Sequence, residues 1–114
     1  MAQLGRIEAT LSPGACRELE RFLVHSRMPG AMLTLFKSTD DPSGDRWSYG
    51  VLTPERLNAL RTAMETRGRT LVYTLDNLSV AISNPGHAKE LDGTLIELDG
   101  PGYLLVRAVA PPAP

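Results

Sequence analysis

Residues 70–98 read TLVYTLDNLSVAISNPGHAKELDGTLIEL, and their punctuation decides the fold. Two β-prone runs, 70–75 and 78–83, flank Asp76-Asn77, a pair that tolerates positive φ and predicts a tight hairpin. Asn84-Pro85 then caps a short helical turn ending at Leu91, because asparagine accepts from free N–H groups and proline needs none at the first position. Asp92-Gly93 turns the chain into a further strand over 94–98. Short strands joined by turns predict largely antiparallel pairing and argue against a doubly wound parallel sheet.

The same grammar extends toward the N-terminus. Residues 46–52 read as a strand with Trp47, Tyr49 and Val51 on one face. Thr53-Pro54 opens a helix over 54–66 whose stripe is Leu57, Leu60, Ala63 and Met64, closed by Gly68 as a left-handed cap. Further back, 31–36 alternates as a strand, and Pro29-Gly30 stops a helix that Ser12-Pro13 begins. That helix, over 13–26, carries Ala15, Cys16, Leu19, Phe22 and Leu23 on one stripe. Ile7, Ala9 and Leu11 alternate through a first strand over 6–11. On the C-terminal side, Gly100-Pro101-Gly102 turns into a last strand over 103–109, and residues 110–114 form a proline-rich tail expected to stay extended and flexible. The expectation is a mainly β, β-rich α+β domain of about seven short strands. The strands curl into a small antiparallel sandwich or barrel with two flanking helices.

Composition narrows the function. The chain has 114 residues, enough for one domain over 1–109 with its own core. Twelve Lys and Arg against thirteen Asp and Glu give a net charge of −1, which offers no electrostatic footprint for nucleic acid or an anionic membrane. No stretch approaches the roughly 20 apolar residues of a membrane span, and the opening residues lack the apolar core of a signal peptide. A soluble cytoplasmic protein is the expectation. One cysteine, Cys16, excludes an intrachain disulfide and a multi-thiolate metal site within one chain.

Several places could carry chemistry. The loop over 40–45 holds Asp40, Asp41 and Asp45, which could gather a hard cation, but their spacing fits no calcium loop and a solvated acidic loop is preferred. His25 and His87 lack a partner at ligand spacing and read as ordinary polar residues. Cys16 lies in an apolar stripe and reads as a small hydrophobe, with a reactive thiol as the alternative. Arg56, Arg61, Arg67 and Arg69 concentrate on the second helix and its exit. Arg56 and Arg67, eleven apart, nearly eclipse. A solvated face is the plain reading and an acidic protein partner the sharper one. Gly100-Pro101-Gly102 precedes a strand, so it is no phosphate cradle. No nucleophile elbow, zinc-protease motif or Walker lysine is present.

Taken together, the elements resemble the HesB/IscA-like family of A-type iron–sulfur assembly proteins. The likeness rests on Val80-Ala81-Ile82, the helical turn, and Leu91-Asp92-Gly93-Thr94-Leu95-Ile96-Glu97-Leu98, where the family has a strand, a one-turn helix, a Leu-x-Gly-Thr corner and a strand ending apolar-acidic-apolar. The opening strand, the capped helix, Pro29-Gly30 and the strand Met32 to Phe36 fit the same order. The likeness spans residues 7–106. The family's Cys-Ser-Gly aligns with Pro42-Ser43-Gly44, and its C-terminal Cys-Gly-Cys falls where residues 110–114 stand, so all three thiolates are missing. Residues 53–68 add a helix where the family has a short acidic loop. Since thiolates hold such clusters, no ligand or catalytic residue carries over and no cofactor is expected.

The resemblance implies a diverged, cysteine-less, non-enzymatic binding domain that acts through protein–protein contacts, with a homo-oligomer such as a dimer as an implied state. The alternative, from a different class, is a small-ligand module using the 40–45 loop and the Trp47/Tyr49 strand. Asp40, Asp41, Asp45, Trp47, Arg56 and Arg67 are the candidate ligand or partner surface. An enzyme is disfavoured because no nucleophile–base pair or metal constellation is visible.

Overall fold

A computed structural model describes residues 4–38, 46–100 and 102–108. The loop over 40–45 and the tail over 110–114 lie outside the described residues. The chain runs β1 (Leu4–Ile7), β2 (Thr10–Leu11), α1 (Pro13–His25), β3 (Met32–Lys37), β4 (Arg46–Leu52), α2 (Pro54–Thr66), β5 (Val72–Leu75), β6 (Leu78–Ala81), α3 (Pro85–Glu90), β7 (Thr94–Leu98) and β8 (Tyr103–Ala108). It is a β-rich α+β domain whose strands join one mixed sheet in the order β1-β5-β6-β3-β4-β8-β7-β2.

The three helices start where cap chemistry directs. Ser12 Oγ accepts from the Ala15 N–H, Thr53 Oγ1 from the Arg56 N–H, and Asn84 Oδ1 from the N–H groups of Gly86 and His87, each with proline next in sequence. Gly68 at φ +67 ends α2, and Asp76 at φ 54 makes the β5–β6 turn.

Two features go beyond the sequence reading. The opening strand is split at Glu8 and Ala9, because β1 and β2 occupy opposite ends of the strand order. Ile7 and Thr10 are three residues apart, so the two edges stand within about 10 Å of each other. The sheet must therefore roll until the end of β1 and the start of β2 come together, which among the described residues gives a barrel closed at Glu8 and open along the rest of the outer edge of β1. Second, three pairings are parallel: β1 with β5, β2 with β7, and β3 with β6. The first two bring the chain's opening strands beside strands far along the sequence, and the third is a crossover over β4, α2 and β5; adjacent turns reveal none of them.

Alternation sorts the side chains into two layers. Leu33, Leu35, Trp47, Tyr49, Leu75 and Val80 point inward and meet Ala15 and Leu19 of α1 with Ala88 of α3 and the adjoining Leu91. Met32, Leu52, Val72 and Ala81 point outward and are covered by Leu57, Leu60 and Met64 of α2. The α2 helix is thus docked on the outer face. Ala63, read as part of its stripe, is exposed, so the docked face is narrower than the periodicity suggests.

Candidate functional site

The seam where the sheet edges meet is stitched by two carboxylates. Glu8 N–H donates to Asp92 Oδ1 at 2.8 Å, and Gly93 N–H donates to Glu8 O at 2.6 Å. Leu11 N–H donates to Asp76 Oδ2 at 3.2 Å. Asp92 follows α3 and Asp76 sits in the β5–β6 turn, so each turn residue serves a strand far away in sequence.

Beside this seam lies an open cleft of about 400 Å³. Its walls are Gly5, Arg6 and Ile7 of β1, the Gly68-Arg69-Thr70 exit of α2, Tyr73, and Pro85, Ala88 and Lys89 of α3, with Asp92 at one end. A depression of about 430 Å³, lined by Glu8, Ala9, Thr74 and Asp76, adjoins it across Arg6 and Ile7. Tyr73 lies over Gly5, and a Cβ at Gly5 would sit 2.5 Å from Tyr73 Cδ2. The Tyr73 hydroxyl donates to Thr70 O at 3.2 Å, and burial pushes its phenol above the ordinary tyrosine value.

The cleft's cations differ in their commitments. Arg6 pairs with Glu8 at 2.9 Å on the surface. Arg69 and Lys89 are exposed, and no carboxylate among the described residues pairs with either. Asp92 is engaged by the Glu8 N–H. The rim is therefore net basic although the chain as a whole is not.

The residues singled out from sequence go elsewhere. Asp40, Asp41 and Asp45 lie outside the described residues. Trp47 is 2% exposed and meets the His87 ring edge-on at 6.3 Å, so it is core. Tyr49, 6% exposed, accepts from the Gly102 N–H at 3.1 Å, donates to Glu18 Oε2 at 3.3 Å and has Phe22 edge-on at 5.2 Å. Arg56 on α2 and Arg67 at its C-cap are exposed and neither lines the cleft, although Arg67 directly precedes its wall residue Gly68; Arg61 Nε is buried without a hydrogen-bond partner among the described residues. His25 Nδ1 lies 2.9 Å from Arg21 O at the end of α1. Cys16 is half-buried and its thiol donates to Glu20 Oε1 at 3.6 Å; burial, then the Glu20 charge and this contact, raise its pKa.

Among the described residues no three His, Cys, Asp or Glu side chains converge on a metal position, and no helix is long and apolar enough to cross a membrane. Arg69 stood out in the arginine-rich stretch, but Arg6, Tyr73 and Lys89 carried no signal. Their proximity depends on the parallel β1–β5 pairing and on where α3 packs, neither of which has a local signature. Compared with known protein families and with curated proteins, the sequence matches none.

Proposed function

We propose that this chain is a non-enzymatic binding domain that acts by docking another protein, a relative of the HesB/IscA-like scaffolds that does without their thiolates. The seam cleft is its contact site. The β6–α3–Leu91-Asp92-Gly93-Thr94–β7 succession supports the family reading, since it follows the strand, short helix and Leu-x-Gly-Thr corner on which the resemblance rests. The observation that carries the contact site is an open basic cleft whose Arg69 and Lys89 have no acidic partner among the described residues. Its open shape and the exposed cations Arg69 and Lys89 on its wall support electrostatic docking of a partner. A small-ligand site on the Trp47 and Tyr49 strand draws less support, because both side chains are spent in the core.

The test is affinity capture with the full-length chain from its native host, in three forms. A partner retained by the wild type and by Arg56→Glu/Arg67→Glu, but lost from Arg69→Glu/Lys89→Glu, supports the cleft. Retention that ignores Arg69 and Lys89, or that depends on Arg56 and Arg67 instead, overturns it in favour of the α2 face.

A further inference from the structure

We infer that the partner's contact is an extended acidic segment that adds to the free edge of β1 as a further strand; this rests on the docking role proposed for the seam cleft. The argument begins with which way the β1 backbone faces. Among the described residues β1 pairs with β5 on one side only. Gly5 O accepts from Thr74 Oγ1 of β5 at 3.4 Å, which places the Gly5 carbonyl on the β5 side. The N–H and C=O of Glu8 point the other way, to Asp92 and Gly93. In an extended strand the main-chain groups of successive residues alternate between edges. The Arg6 N–H and C=O therefore face the same side as those of Glu8, toward the cleft.

That edge already works as a strand-pairing edge at its far end. The Asp92-Gly93 pair gives Glu8 both an acceptor and a donor, as a neighbouring strand would. One rung back, at Arg6, the cleft stands open. An unpaired strand edge beside a groove is the setting for β-strand addition, in which main-chain bonds supply affinity and flanking side chains supply choice. Here the flanking side chains are Arg69 and Lys89, cations without carboxylate partners among the described residues. Charge complementarity selects an acidic segment over a neutral or basic one.

The experiment uses the full-length protein and two capped heptapeptides, one alternating Glu and Val, the other Lys and Val. Binding is followed by amide NMR and by hydrogen exchange at Arg6. The acidic peptide should bind about ten-fold or more tightly than the basic one, and less tightly as salt rises. It should also slow exchange of the Arg6 amide. Arg6→Pro deletes the edge N–H without touching the β5 side, so it should fold and lose the peptide. Arg6→Ala keeps the N–H and should bind within a few-fold of the wild type. Arg69→Glu/Lys89→Glu should abolish the acidic preference. Binding without Arg6 protection, or equal loss in Arg6→Ala and Arg6→Pro, would overturn strand addition while leaving the docking role standing. Absence of binding by either peptide overturns the acidic-segment proposal too, and the capture experiment decides separately whether the cleft docks a protein at all.

Discussion

Asp92 holds Glu8 as an adjacent strand would: its carboxylate accepts from the Glu8 N–H at 2.8 Å while the next residue, Gly93, returns an N–H to the Glu8 carbonyl at 2.6 Å. Glu8 is where the chain leaves one sheet edge for the other, so this pair closes the barrel. Gly93 takes φ +75, a conformation open to glycine at little cost, which lets the chain turn and point its N–H back. Asp92→Ala should destabilise the domain by about 1 kcal/mol, the usual net worth of such a bond near the surface. Asp92→Asn, which keeps an acceptor, should recover most of that loss in thermal melts. Equal melting of all three proteins would mean that the seam is held by packing alone.

At the other end of β1, Gly5 is required by contact. A Cβ there would meet Tyr73 at 2.5 Å and 2.7 Å and Thr70 Cγ2 at 3.2 Å, and a buried ring has little room to withdraw. Gly5→Ala should cost about 1–3 kcal/mol, the range for overpacking. Adding Tyr73→Leu to Gly5→Ala should cost less than the sum of the two single changes, since the collision partner is gone. Strict additivity of the two would mean that Gly5 is needed for its backbone and not for space.

Tyr73 also gives the domain a pH signature. Burial raises its phenol above the ordinary value of about 10. The unfolded chain loses this proton first, so the stabilisation is complete below about pH 10 and fades as pH climbs through the raised folded value. Tyr73→Phe gives up the hydroxyl bond to Thr70 and should melt lower at pH 8. The gap between the two proteins should narrow from pH 10 upward. A gap that stays constant to pH 11.5 would mean that the phenol titrates normally.

Much of this architecture was legible because it is written locally. Ser12, Thr53 and Asn84 announce their helices through side-chain chemistry that acts within three residues, and Asp76-Asn77 announces its turn in the same way. Alternation in β4 groups Trp47 with Tyr49, and their shared face packs inward with Leu33 and Leu35 of the alternating β3. What stayed hidden is pairing over distance. Nothing near Leu4 specifies that it lies opposite Val72, and nothing near Lys89 places it beside β1. Alternation groups Trp47 with Tyr49 and Val51 on one face but does not say which face is buried, so Trp47 reads as a candidate surface residue although it belongs to the core.

The α2 helix is a measurable case of such a local stripe. Leu57 and Met64 are buried against Val72 and Ala81, Leu60 is half-buried, and Ala63 is exposed. Leu57→Ala should cost about 2–3 kcal/mol, toward the lower end for a buried leucine because part of its neighbourhood can relax. Ala63→Ser should cost well under 1 kcal/mol, as surface changes do. Denaturant midpoints that rank these two the other way would place a different face of α2 against the sheet.

The last prediction concerns Cys16, the one thiol the chain could offer to iron. It sits half-buried on α1, where burial comes first in raising its pKa and the Glu20 carboxylate adds to the rise. A thiol held protonated is a poor nucleophile and a poor ligand, since both roles belong to the thiolate. Its alkylation by iodoacetamide at pH 8 should be slower than that of a free thiol, and Glu20→Gln should speed it. Iron–sulfur clusters need several such thiolates, and two copies of the chain together would bring only two, each from an apolar stripe. Anaerobic treatment with ferrous iron and sulfide, followed by desalting, should leave no visible charge-transfer bands and no stoichiometric acid-labile sulfide. Bands that persist in Cys16→Ala would show that ligands other than thiolates hold a cluster here. Bands that vanish in Cys16→Ala would instead make the α1 thiol the site to pursue.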